Sequence, residues 1–170
     1  MSCNNYGCST AITSTTGPKG NTGATGASGT ATVTVVVAAD ASYTIAATAT
    51  GTEYYMNRTA GITFTLPVSP AVGTNFTFIT EATPTTGSYV INAGAGDFFL
   101  GFIYSHKSAA DEIVYTANAA LTDTHVTLNG TTTGGVIGTK ITVTYMDATN
   151  NLWYVSGDTL ATGAQATPFS

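Results

Sequence analysis

The chain has 170 residues, of which 43% are hydrophobic and only 8% charged, and it carries a net charge of −5. That length holds one domain with a core of its own, and the charged share is far below the usual value of about 25%. The few basic side chains argue against a nucleic-acid partner, whose phosphates are bound mainly by Lys and Arg, and no apolar run reaches the roughly eighteen residues that a bilayer-spanning helix needs.

The opening segment, MSCNNYGCST, lacks the basic and hydrophobic regions of a secretory signal. Residues 1–16 are read as a tail that carries both cysteines, Cys3 and Cys8. Lying ahead of everything else, they cannot staple a downstream core. Cross-links between chains, contact with a supporting surface, and two reduced thiols all stay open, because pairing is not deducible from sequence.

Residues 17–30 carry Gly17, Gly20, Gly23, Gly26 and Gly29 in a strict period of three within the phrase GPKGNTGATGASG. In a collagen triple helix every third residue faces a crowded axis where only glycine fits, so the period predicts three chains. The alternative is a flexible linker that keeps the period by accident. A rod of this length spans roughly 40 Å and is too short to trimerise unaided, so the segment that follows is expected to drive assembly.

At residue 31 the pattern changes to TATVTVVVAAD, in which Val33, Val35 and Val37 fall on one face, and residues 31–170 are read as an all-β head. Strands are predicted at 43–47, 52–56, 62–66, 75–80, 89–92, 98–104, 113–116, 125–128, 140–145 and 152–155, with turn residues between them. Ile62, Phe64 and Leu66 interleave with Thr63 and Thr65, and Ile141, Val143 and Tyr145 with Thr142 and Thr144. One face of each strand is therefore core and the other threonine, whose β-branch suits an extended backbone while its hydroxyl stays wet. Pro67 and Pro70 stop the first of these strands, and the turn chemistry of residues 147–151 predicts an antiparallel hairpin between the last two. The segment 108–121 has some helical character, but Ile113, Val114, Tyr115 and Thr116 favour a strand. The spacing predicts an antiparallel β-sandwich of jelly-roll type.

Catalytic chemistry has no foothold in this pattern. There is no G-x-S-x-G elbow, the only histidines are His106 and His125, and Asp97, Asp111, Glu112 and Asp158 lie scattered over different segments. The chain is expected to be no enzyme and to need no cofactor. Asp123 and His125, two apart and expected on one strand face, are weak candidates for a cation site repeated around a threefold axis. Trp153 and Tyr154 are candidates for a flat ligand platform, although core packing is the commoner use of such rings and Trp153 is expected in or beside the core. The sequons at Asn57, Asn75 and Asn129 decide nothing in a chain so rich in threonine.

Taken together, the cysteine-bearing start, the glycine triplets and a threonine-rich head resemble collagen-containing structural proteins of bacteriophages and large aquatic viruses. The phrases GITFTLPVSPAVGTNFTFIT, VINAGAGDFFLGF and GTKITVTYMDATNNLWYVSG look like trimeric viral fibre or capsid-decoration heads. The resemblance implies a homotrimer on the virion surface, its N-terminal tail docked on a capsid or other assembly and its head exposed, with a host glycan or receptor as a candidate partner. No catalytic residues carry over. Bacterial surface and spore-coat collagens share the same features, and the alternative is an adhesin or filament subunit on a cell or spore surface that binds a ligand through its head.

Overall fold

The computed structural model describes residues 33–36, 41–108 and 111–170, and these residues form strands and turns with a single 3-10 turn at Ala47–Ala49. Eleven strands lie among the described residues: β1 (Val33–Val36), β2 (Ser42–Thr44), β3 (Thr52–Met56), β4 (Ile62–Thr65), β5 (Asn75–Thr80), β6 (Tyr89–Asn92), β7 (Phe98–Ser108), β8 (Asp111–Thr116), β9 (His125–Leu128), β10 (Lys140–Asp147) and β11 (Leu152–Leu160). They make a seven-stranded sheet in the order β1-β3-β5-β10-β11-β7-β8 and a four-stranded sheet in the order β2-β4-β6-β9. The all-β expectation holds, and the segment 108–121 contains a strand, β8, as its β-branched run predicts.

The direction of the ladders is a correction. An antiparallel sandwich or jelly roll was expected, yet β1 with β3, β3 with β5, β2 with β4, β4 with β6 and β11 with β7 all pair parallel. From β1 to β6 the chain alternates between the two sheets, so each strand of one sheet is the crossover that returns the chain to the other. Parallel neighbours need a long connection, usually a helix, and here an opposing strand supplies it. Alternation of apolar residues and threonine reports which face is buried but not the direction of the neighbour, and for that reason the sequence did not reveal the coil.

The coil is interrupted at β7. Instead of pairing with β5, β7 lies beside β11, and the antiparallel β10–β11 hairpin fills the two places between them. This hairpin was expected. In its turn the Asp147 carboxylate accepts from the Thr149 and Asn150 backbone N–H groups at 2.7 and 3.3 Å and from Asn150 Nδ2 at 2.7 Å. The Asn150 side chain, followed by the Thr149 N–H, holds that carboxyl below its ordinary pKa.

Between the sheets lies one core. Phe64 packs against Phe78 with ring centroids 5.0 Å apart, and Tyr54 stacks on Phe78 at 5.5 Å. Met56, Ile62, Phe76, Tyr89, Ile91, Ile141 and Val143 complete its centre, all within 1% of full burial. Burial pushes the phenol of Tyr54 up to about 12, and it does the same to Tyr89 against the opposing pull of Arg58. Tyr89 keeps its hydroxyl satisfied by donating to the carbonyls of Ala82 and Met56, at 2.6 and 3.2 Å.

Candidate interaction surface

The seven-stranded sheet is wider than its partner, so its β11, β7 and β8 strands carry the outer face whose residues are best placed to meet other molecules. Along β7, Phe99, Ile103 and Ser105 point inward and are buried, while Leu100, Phe102, Tyr104 and His106 alternate with them and are half-exposed. Gly101, inward-facing at φ +126°, sits so close to β11 that a Cβ there would collide with the Val155 carbonyl. On the outer face Phe102 meets Tyr104 edge to face at 5.3 Å, and Tyr154 of β11 edge to face at 6.2 Å. This aromatic strip is bordered on one side by the threonines of β10 and β5, where the Thr77 and Thr142 hydroxyls lie 3.3 Å apart. On its other side stands β8, with Thr116, Val114 and Glu112 in register with Phe102, Tyr104 and His106. At the far end of the strip His106 Nε2 lies 3.2 Å from Asp158 Oδ1, and Nδ1 lies 3.7 Å from Glu112 Oε2.

Of the two residues named as a ligand platform, Tyr154 belongs to this face and Trp153 does not. Trp153 is wholly buried, as its core expectation required, and its role as a platform is overturned. Phe76 and Tyr145 flank its indole at 5.9 and 5.2 Å. Its Nε1–H donates to Asp97 Oδ2 at 3.1 Å, and the same oxygen accepts from the Ser69 backbone N–H at 3.1 Å. The Ser69 hydroxyl reaches Asp97 Oδ1 at 3.3 Å and Asn151 Oδ1 at 3.2 Å, and Tyr145 also donates to that Asn151 oxygen at 3.3 Å. A wholly buried carboxylate thus ties the β4–β5 loop, the β6–β7 loop and the last hairpin to one tryptophan. In the sequence alone Asp97 reads as one of several scattered acids. What would have distinguished it is its place two residues ahead of the inward Phe99, in step with the inward positions of the strand that follows.

Asp123 precedes β9 instead of lying in it, so the shared strand face expected for Asp123 and His125 does not form. The Asp123 carboxylate accepts from the Asn118 N–H at 2.5 Å, and His125 Nδ1 lies 2.7 Å from Thr124 Oγ1. Among the described residues no group of three or more His, Cys, Asp and Glu gathers to hold a metal ion. Cys3, Cys8 and the glycines from Gly17 to Gly29 lie outside the described residues. No protein-family model, curated protein or solved structure matches the chain.

The free edges of the sheets differ in character. At β9 the edge is covered by the end of the chain: Ser170 O accepts from the Thr124 and His125 N–H groups, and Pro168 O from that of Thr127, each at 2.8 Å. β2 is three residues long and exposes Ser42 and Thr44. By contrast, β8 exposes Ile113 at 42% and Val114 at 47%, successive residues on opposite faces, while Tyr115 packs against the core.

Proposed function

We propose that this chain is a virion structural protein, a homotrimeric fibre, spike or capsid-decoration protein. Residues 17–30 form a collagen-like stalk, the tail with Cys3 and Cys8 joins a capsid or other supporting assembly, and residues 31–170 form the exposed head. The observation that carries the reading is the strict period of glycines from Gly17 to Gly29, which a triple helix demands and a linker does not. A head with a continuous core, threonine-covered faces and few charges is consistent with a passive, durable role.

The adhesin reading draws on one specific observation, the strip formed by Phe102, Tyr104 and Tyr154. Half-exposed rings on a rigid sheet suit the apolar face of a sugar. Phe102→Ser with Tyr154→Ser tests the strip as a ligand surface, with loss of glycan or cell binding expected if it is one, and the location of the native chain separates the two readings: virus particles support the virion protein, a cell or spore surface the adhesin.

The stalk is tested by Gly23→Val. A side chain at the axis of a triple helix is not accommodated, so protease sensitivity rises ahead of residue 30 while the head keeps its thermal midpoint. An unchanged digestion pattern sinks the stalk. Deleting residues 1–16 tests the tail: the truncated chain is expected to stay soluble and trimeric but to fail to join particles that lack the native protein. Incorporation at wild-type level would assign docking to the stalk or head instead.

A further inference from the structure

β8 is an edge strand with one apolar side chain exposed on each face, Ile113 and Val114, and the geometry points to a second copy of this chain as its occupant, with two β8 strands pairing antiparallel about a twofold axis.

The backbone sets the register. Just beyond β8, the Ala117 N–H donates to Gly101 O at 3.0 Å, and from Thr116 to Glu112 the register with β7 runs without a break. Backbone groups alternate in direction along a strand, so the N–H and C=O of Thr116, Val114 and Glu112 point away from β7 into the open edge. An antiparallel copy centred on Val114 places Val114 opposite Val114 of the second copy, each exchanging both hydrogen bonds. In the same register Glu112 stands opposite Thr116, again with backbone groups converging, and Ile113 stands opposite Tyr115. Both faces of the joint then match apolar with apolar, and no acid faces an acid. A parallel in-register copy would instead set Asp111 and Glu112 beside their own counterparts about 4.8 Å away, which like charges disfavour. The acids at one end of β8 therefore select the antiparallel partner. On the outer face Val114 is in register with Tyr104, so the joint continues the aromatic strip of each copy.

The pairing is separate from the proposed threefold stalk. In the larger sheet β8 is the strand farthest from β1, about 29 Å across six strand spacings, so it stands well away from the segment that follows the glycine triplets. Each trimer would offer three such edges, all of them filled when one second trimer joins it about twofold axes.

Native mass measurement of the full chain at micromolar concentration, with Val114→Lys beside the wild type, tests this. Six chains falling to three supports the pairing and the threefold stalk together. Two chains falling to one supports the pairing and overturns the stalk. A wild-type mass of three or one chains, or a mass that a folded Val114→Lys leaves unchanged, overturns the pairing. Val114→Thr, which keeps the backbone free to pair, is expected to retain the wild-type mass. Should Val114→Lys fail to fold, Val114→Cys in a chain with Cys3→Ser and Cys8→Ser decides. Hydrogen-bonded antiparallel pairs have Cα atoms about 5.5 Å apart, within disulfide reach. A disulfide-linked pair of chains is expected there and not for Thr142→Cys, whose strand lies inside the sheet; absence of the linked pair overturns the proposal.

Discussion

Asp97 is the residue on which the most depends for its size. Its carboxylate satisfies the buried indole N–H of Trp153 and the backbone N–H of Ser69, the latter held at φ +41°. Asp97→Ala leaves the indole N–H buried and unpaired, at about 1–3 kcal/mol, whereas the N–H of Ser69, an exposed residue, can turn to water. Trp153→Phe keeps most of the ring contacts and is expected to cost less than Trp153→Ala, for which about 3–5 kcal/mol is usual. Urea titration followed by far-ultraviolet circular dichroism ranks the three; if Asp97→Ala matches wild type, the carboxylate does not organise the loops. The buried phenols make a second prediction. Tyr54 and Tyr89 hold their protons to about pH 12 in the folded chain, while an unfolded tyrosine releases its proton near 10. Above pH 10 the unfolded state therefore loses protons that the folded state keeps, and stability falls as pH rises from 10 towards 12. Below pH 10 these two groups contribute no slope. Thermal midpoints that stay flat from pH 9 to pH 12 would contradict this assignment.

At the scale of the strand, much was legible. β3, β5, β6 and β9 fall where alternation put them, because an inward apolar residue at every second position leaves little freedom of register. β7 and β11 run on well past Tyr104 and Val155, through Ser105-His106 and Ser156-Gly157-Asp158, where the sequence loses its apolar rhythm. These extensions are held by each other, since Leu160 lies in register with His106. A strand stabilised by its neighbour's backbone carries no signature in its own side chains. The candidate surface was half legible for the same reason: Tyr154 was named, but its partners Phe102 and Tyr104 join it only through the parallel β7–β11 ladder. Gly101 marks where that ladder is tightest. Gly51 has a positive φ in open space, so Gly51→Ala carries only the backbone cost of about 1–2 kcal/mol. Gly101→Ala adds a clash with the Val155 carbonyl, for about 1–3 kcal/mol more, and equal thermal midpoints for the two variants would mean that β7 and β11 separate easily.

For the whole molecule, the legible part was the class and the hidden part was the path. Each segment's pattern says that it has one wet face and one dry face, which defines two layers about a core. Which strand lies beside which is decided by contacts between residues far apart in the chain, and those leave no local trace. The tail and the glycine run are the reverse case, a pattern legible at once whose proposed consequence is an assembly of several chains.

Because β10 and β11 lie between β5 and β7, the larger sheet is completed out of chain order. When β7 leaves the ribosome its neighbour has not yet been made, as β11 begins only at Leu152. Until then the growing chain offers a three-coil fragment and a stranded β7–β8 pair with bare apolar surface. Contacts of such sequence separation make folding slow, and they place its final step after synthesis of residue 160. Nascent chains halted before Leu152 are therefore expected to be protease-sensitive from β7 onward and to bind chaperones, with resistance gained in one step once the hairpin is inserted. A glycine run at the other end would have been waiting throughout, so the proposed threefold winding would be timed by the last strand to arrive and not by the first residues to emerge.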